Sequence, residues 1–322
     1  MTRFAKLGLL ALAVAAAFLF SLLAGKVWVP LWGLPQGDPR IAIMMELRLP
    51  RALLGLVIGG GLGISGAALQ GYSRNPLADP SLLGISATAA LGAVLAIALG
   101  LGGSTATIAA FAMTGAAIAV LLLALLAGRS ASAVAFILAG TVLSSLAGAL
   151  VSLVISLAPS PFASSEIITW LMGALTDRSW LELEIAAPLV AAGSVLLLLL
   201  GRSLDGLTLG ETVARSLGID LVRLQYGLAA ALALIVGGSV AVTGVVGFVG
   251  LIVPHLLRPW FGAEPSRLLL PSLLGGTMLT LVADALVRLA PGGSELRLGV
   301  AMALIGTPFF LALLWRYRRG LG

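Results

Sequence analysis

The segment from Ala52 to Gly71 limits the fold most strongly, because its 20 consecutive residues carry no charge. As a helix rising ~1.5 Å per residue, it would be about 30 Å long, which matches the hydrocarbon core of a bilayer. Arg48 and Arg51 precede the segment, and Arg74 follows it. The segment therefore has the form of a membrane-spanning helix with a solvent-exposed region at each end.

The same pattern recurs along the 322 residues, of which 60% are hydrophobic and only 10% charged. A soluble domain usually carries about 25% charged residues. We therefore predict an all-α polytopic membrane protein, with one transmembrane domain over residues 1–322 and no separate soluble domain. About ten helices are expected, over residues 7–25, 52–71, 82–101, 105–127, 133–158, 185–200, 224–241, 245–257, 268–290 and 298–315.

Two of these assignments involve a choice. The run 7–25 could be the core of a secretory signal peptide, but its 19 residues exceed the usual length of ~7–15. We therefore predict a retained first helix. The run from Leu224 to Pro254 is charge-free for 31 residues, which is too long for one simple crossing. We divide it into two helices that turn near Thr243 and Gly244.

The distribution of cations predicts the orientation. Ten crossings place both termini on one side of the membrane. With the N-terminus inside, twelve of the 19 lysines and arginines fall in inner loops and seven in outer loops. This agrees with the positive-inside rule, so both termini are predicted to be cytoplasmic. The same bias accounts for the net charge of +6 without a nucleic-acid partner.

Several classes of site are excluded by residue type or context. The chain has no cysteine and one histidine, His255, which excludes thiolate and multi-histidine metal sites. It has no Walker lysine motif, so it does not hydrolyse ATP by itself. Gly61, Gly63 and Gly66 match the dinucleotide fingerprint, but they lie in the middle of a membrane helix rather than after a strand.

Two alternative functions stay open on the residues alone. Gly63-Ile64-Ser65-Gly66 resembles the GxSG nucleophile of rhomboid intramembrane proteases, with His255 as its base, although a packed serine and a helix-end histidine explain the residues equally well. Asp284 is a buried acid of the kind that couples ions in secondary transporters. It lies within a turn or two of the outer boundary.

Small residues recur every four positions in the second helix, so they share one face. Such a face allows a neighbouring backbone to approach closely. The residues are Gly55, Gly59, Gly63, Ala67 and Gly71.

A short helix is predicted inside the polar interval 201–223. Thr208 and Glu211 have the spacing of a capping box, Gly218 would end the helix, and Asp220 could cap the next one. Its apolar stripe needs a cover, which is either the lipid headgroups or a cytoplasmic partner. The helix would cover about 209–217, with its stripe at Val213, Ala214 and Leu217.

With these residues in view, the chain resembles the FecCD family of ABC-importer permeases, which handle iron-siderophores, haem and vitamin B12. The resemblance covers nearly the whole chain and is specific for the family rather than for one substrate. Its motifs are RLPR (48–51), SGAALQGYSRNPLADPSLLGIS (65–86), ILAG (137–140), LGETVARSLGID (209–220), GVVGFVGLIVPHLLR (244–258) and ELRLGVAMALIGTPFF (295–310).

The resemblance implies a type II ABC importer permease fold and a homodimer with the pathway at its interface, in the bacterial inner membrane. It also implies two cytoplasmic ATPase subunits, which bind ATP and magnesium, and one periplasmic or lipid-anchored binding protein. This chain would hold no cofactor and would not be an enzyme. The expected cargo is a bulky metal chelate, a ferric siderophore first and haem or cobalamin next.

The resemblance also implies roles for individual residues. Snorkelling to lipid phosphates is the simpler explanation of Arg48 and Arg51. By the resemblance, the binding protein docks on Arg48, Arg51 and Arg288. The cytoplasmic gate would include Asn75, Leu77 and Ser132, and the pathway would be lined by Thr141, Ser144 and Ser145. The ATPase would contact residues of the coupling helix at about 208–218, namely Leu209, Gly210, Glu211, Ala214, Arg215, Ser216, Leu217 and Gly218.

Overall fold

A computed structural model describes residues 2–319 except residues 28, 31, 32, 34, 36, 128–131 and 291–294. In this part of the chain every regular element is helical, as predicted. The helices are α1 (Arg3–Leu23), α2 (Pro39–Ser73), α3 (Ile85–Ala98), α4 (Thr105–Ala127), α5 (Ala133–Ser156), α6 (Pro161–Leu171), α7 (Trp180–Thr208), α8 (Glu211–Ser216), α9 (Leu221–Thr243), α10 (Val249–Phe261), α11 (Pro265–Leu289) and α12 (Leu298–Arg319).

Seven helices among the described residues are long and apolar enough to cross a membrane: α1, α2, α4, α5, α7, α9 and α11. Helices α3, α10 and α12, whose apolar parts are shorter, occupy the three remaining predicted runs. The division of the chain into about ten apolar helices therefore agrees with the hydropathy pattern. The two shortest helices, α6 and α8, lie outside this set.

Several helix ends differ from the prediction. The helix predicted over 185–200 is α7, which is longer at both ends. Its earlier start is fixed by a capping box of Ser179 and Glu182, with the Ser179 amide 2.7 Å from the Glu182 carboxylate. Apolar periodicity identified neither α6 nor the first turns of α2, which include a π-helical segment at Ile43–Arg48.

The charge-free run in the second half of the chain does contain two helices. The first, α9, ends at Thr243, and Gly244 turns the chain with a φ of 71°. The Ala174 amide donates to the Thr243 carbonyl at 2.7 Å, which secures this turn against the segment before α7. The second helix, α10, begins at Val249 rather than at 245.

Helix α2 is the centre of the bundle. In its apolar window 83% of the residues are buried, against 17% in α1, which lies at the edge. The small-residue face predicted for α2 packs on α11: a Cβ added at Gly59 would lie 2.5 Å from the Gly276 carbonyl, and one at Gly63 would overlap the Ser272 carbonyl. This confirms the close backbone approach.

Candidate functional site

A cluster of charged side chains lies at one end of the bundle, where α2, α11 and the segment before α12 meet. The Arg51 guanidinium donates to Asp284 Oδ1 at 2.9 Å and to Glu295 Oε2 at 2.9 Å. Arg51 is 9% exposed and Asp284 is 1% exposed. Charges buried to this degree need close partners, and here each has at least one.

The two other arginines of this cluster hold the end of α1. Arg48 donates to the carbonyls of Leu22 and Leu23 at 2.9 and 2.7 Å. Arg288 donates to the carbonyls of Ser21 and Ala24 at 2.8 and 2.9 Å. The last carbonyls of a helix lack partners within the helix and carry partial negative charge, so the two cations satisfy the C-terminus of α1.

The predicted docking arginines are thus close together, but they do not form an open row of cations. Arg48, Arg51 and Arg288 are 5–9% exposed, and their donors already bind acceptors of the same chain. For a partner's carboxylates to reach them, some of these contacts must be exchanged. The docking role stays a prediction with that added requirement.

Glu295 lies outside the helices, in the segment that precedes α12. Burial opposes its ionisation, but the Arg51 guanidinium and a hydrogen bond from Thr176 prevail and hold the pKa of Glu295 below its ordinary value of 4.5. Sequence patterns gave Glu295 no role, although it opens the C-terminal family motif.

The short helix α8 lies at the opposite end of the bundle, as a separate turn after α7. The predicted capping box is wrong: Thr208 belongs to α7, where its hydroxyl donates to the Asp205 carbonyl, and Gly210 precedes α8 with a φ of 100°. Glu211 lies 4.0 Å from Arg74 instead. The predicted stop at Gly218 is confirmed by its φ of 82°.

The apolar stripe of α8 is divided between two directions. Ala214 is fully buried against the bundle. Leu209, Val213 and Leu217 are 63%, 42% and 61% exposed. Helix α8 is therefore anchored by one small side chain and presents larger apolar side chains outward.

Asp220 caps α9 as predicted, accepting from two backbone amides at 3.0 Å.

The predicted gate residues perform local structural roles in this conformation. The Asn75 side chain accepts from the Leu77 amide at 2.9 Å, so both residues belong to one turn after α2. Ser132 caps α5 by accepting from the Ala135 amide at 3.4 Å. Their gate function stays a prediction.

Sequence patterns did not identify Gln70, whose buried side-chain amide lies beside this turn. Gln70 accepts from the Arg258 guanidinium at 2.8 Å and lies 3.3 Å from the Gly250 carbonyl and 3.4 Å from the Ala78 carbonyl. It thereby joins α2, α10 and the turn that contains Asn75. The position of this polar side chain inside an otherwise apolar run is the sequence feature that could have indicated a role for Gln70.

The predicted pathway residues lie along α5. Thr141 and Ser145 donate to carbonyls within the helix, at 2.8 and 3.0 Å, and Ser144 donates across to Ser81 at 3.4 Å. The donors of all three hydroxyls are satisfied internally, so their oxygens can still accept from a passing molecule.

The residues that suggested an intramembrane protease or an ion-coupled carrier do not have the surroundings that those functions require. Ser65 is fully buried, and the His255 ring packs at 5.8 Å from Phe309. Asp284 lies between two guanidinium groups, with Arg288 at 3.2 Å. Within the described ranges, no group of three or more His, Cys, Asp or Glu side chains could hold a metal ion.

Comparison with known proteins agrees with this arrangement. The sequence profile of the FecCD transport family matches residues 12–316. The vitamin B12 import system permease BtuC of Vibrio cholerae is 39% identical over 300 residues, covering 92% of this chain and 89% of the relative. The hemin transport system permease HmuU of Yersinia pestis is 35% identical over 293 residues, covering 89% and 87%.

The fold has a close counterpart among solved structures. An inward-facing structure of a metal-chelate type ABC transporter superposes with a TM-score of 0.89 and 32% sequence identity, covering 97% of this chain and 99% of that one. The likeness of the fold therefore extends over nearly the whole length of both chains.

Proposed function

Because this chain belongs to the FecCD transport family, we propose that a pair of its copies forms the membrane pathway of an importer energised by two separate ATPase subunits. The chain is a multi-pass membrane protein and an ABC importer permease for metal chelates, not an enzyme. The comparisons give no support to a rhomboid-like protease or an ion-coupled carrier.

The observation that best supports the ATPase contact is the exposure of α8. Three large apolar side chains on and beside a six-residue helix lack a cover within the described chain. A hydrophobic patch of this kind is typical of a protein interface. The contact surface would consist of Leu209, Gly210, Glu211, Ala214, Arg215, Ser216, Leu217 and Gly218, with buried Ala214 serving as the anchor.

The mechanism that fits is alternating access. ATP and magnesium bind on the partner subunits, and closure of those subunits moves α8. Because α7 is a continuous helix of 29 residues that ends two residues before α8, it can carry this displacement toward the outer end. The pathway then changes the side to which it opens, and no bond of the cargo is made or broken.

The remaining parts of the proposal concern the outer side and the setting. A periplasmic or lipid-anchored binding protein delivers the chelate and docks near the arginine cluster. The chain lies in the bacterial inner membrane with both termini cytoplasmic. A ferric siderophore, haem and cobalamin all suit the bulky-chelate class.

The test compares two matched pairs of leucines. Leu209 and Leu217 beside α8 are 63% and 61% exposed, and Leu198 and Leu199 on α7 are 43% and 74% exposed. The tagged full-length chain is purified in mild detergent as wild type, as Leu209→Ala/Leu217→Ala and as Leu198→Ala/Leu199→Ala. We expect an ATPase subunit with the wild type and the α7 variant, and its loss from the α8 variant. Equal recovery with both variants would remove α8 from the contact.

A further inference from the structure

A cavity of about 280 Å³ lies at the end of the bundle that carries α8, between the ends of α2, α7 and α10 and the start of α11. It is far larger than the ~10–15 Å³ that one ordered water needs, so it can hold a ligand group. Two arginines line the cavity, and its described lining residues include no acid. The polar side chains of the lining are Gln70, Arg74, Thr208 and Arg258.

The wall of this cavity keeps positive charge. Arg258 donates to the side-chain oxygen of Gln70 at 2.8 Å, and Gln70 is 3% exposed. A neutral amide orients the guanidinium group without neutralising it. Arg74 lies 4.0 Å from Glu211, and both side chains are about a third or more exposed, so this contact is weak. The two guanidinium groups therefore favour an anion in the cavity.

Two acids close in sequence to lining residues contact other groups. Glu264 lies 2.5 Å from Arg267, and the Asp205 carboxylate accepts from the Ser266 amide at 2.8 Å. Neither acid belongs to the lining. A phosphate in the cavity would therefore meet guanidinium groups, whose planar donors match its oxygens, without a carboxylate in the described wall.

This end of the bundle continues into a lipid-facing edge. Lys6 of α1 donates to the Trp260 carbonyl at 2.6 Å, which fastens the edge helix α1 beside the connection that supplies Ala263 to the cavity wall. Leu256 and Trp260 are four positions apart on α10, so they share a face, and each is 55% exposed. Exposed tryptophans of membrane proteins are typical of the headgroup level. The cavity therefore lies close to lipid headgroups.

We infer that this cavity binds the phosphate of an anionic phospholipid such as phosphatidylglycerol. Basic pockets between membrane helices on the cytoplasmic side bind anionic headgroups. The Thr208 hydroxyl donates to the Asp205 carbonyl, so its oxygen remains an acceptor, which suits a headgroup that carries hydroxyls. The inference rests on the proposed function in one respect, because α8 assigns this end to the cytoplasmic leaflet.

The experiment uses the tagged full-length chain, purified in a neutral detergent with its co-purifying subunits. Native mass spectrometry measures the binding of added phosphatidylglycerol and phosphatidylcholine. We expect phosphatidylglycerol to bind at least about tenfold more tightly, and either Arg258→Gln or Arg74→Gln to weaken it at least about tenfold, which is the effect of one charge-assisted hydrogen bond. Inorganic phosphate at the lipid concentration should leave the lipid bound.

The matched control is Arg223→Gln, which removes a cation from the same end of the bundle. The Arg223 side chain is 89% exposed and does not line the cavity, so lipid binding should not change. Arg74→Gln keeps the test valid if Arg258→Gln disturbs folding through Gln70, because the Arg74 side chain is 45% exposed.

Three results would overturn the inference. Equal affinity for the two lipids would remove the preference for an anion, and equal weakening by all three variants would remove the site. Displacement of the lipid by inorganic phosphate would assign the cavity to a soluble phosphate instead. Recovery of the ATPase subunit in the same preparation tests the proposed function separately.

Discussion

Arg51 on α2 and Asp284 on α11 form an ion pair at 2.9 Å that is almost completely enclosed by the bundle. Arg288, one turn along α11, lies 3.2 Å from the same carboxylate. One acid thus neutralises parts of two cations at this end of the bundle.

Asp284→Asn should destabilise the chain strongly. The substitution keeps the volume but leaves two buried guanidinium groups without their shared anion, at an expected cost of ~3–5 kcal/mol. Thermal unfolding in detergent measures the effect. The control is Glu264→Gln, because both side chains of the Glu264–Arg267 pair are more than half exposed and its loss should not be measurable. Equal midpoints for wild type and Asp284→Asn would contradict the role given to this pair.

Arg288→Ala should loosen the C-terminal turn of α1. The variant removes donors to the carbonyls of Ser21 and Ala24, and charge-assisted hydrogen bonds of this kind each contribute ~1.5–3 kcal/mol. Hydrogen exchange should become at least about tenfold faster in the last turn of α1 and stay slow in the centre of α2. Uniformly faster exchange would indicate general destabilisation instead.

Gly66→Ala should destabilise the centre of the bundle. A Cβ at this position would overlap the carbonyl of Gly250 on α10, and backbone cannot move aside as a flexible side chain can. Overpacking of this kind costs ~1–3 kcal/mol. Gly148→Ala on α5 is the matched control, since nothing lies within 4 Å of its added Cβ. The unfolding temperature should fall for the first variant only.

The contribution of Glu295 to stability should depend on pH in one direction. Its folded-state pKa lies below the ordinary 4.5, so its pair with Arg51 stabilises the protein above that value and is lost as the pH falls through the lower folded pKa. The unfolding midpoints of wild type and Glu295→Gln should therefore differ near neutral pH and converge in strong acid. A difference that grew on acidification would have the wrong sign.

Hydropathy placed the membrane helices because a bilayer imposes a length on any apolar run. The turn at Gly244 followed from the excessive length of the charge-free run, and the small-residue face of α2 followed from the four-residue spacing of its glycines and Ala67. The amphipathic helix α6 was missed because its apolar residues are interspersed with serines and do not fill a membrane length.

Pairings between distant residues were beyond the reach of sequence patterns. Arg51 and Asp284 are separated by 233 positions, and neither local sequence indicates that the two residues are in contact. Arg48 and Arg51 were expected either to snorkel to lipid phosphates or, with Arg288, to receive acidic groups of a binding protein. The carbonyls at the end of α1 and the carboxylate of Asp284 supplied enough acceptors to bury them.

The attachment of α1 also sets an order of assembly. Lys6 donates to the Trp260 carbonyl at 2.6 Å, and the far end of the same helix is held by Arg288. During synthesis, Arg48 at the start of α2 follows α1 closely and can hold its C-terminal end, whereas Trp260 and Arg288 are made much later. Until α10 and α11 are made, the N-terminal end of α1 must wait in lipid without its partner, so the two ends of this helix join the bundle at different times.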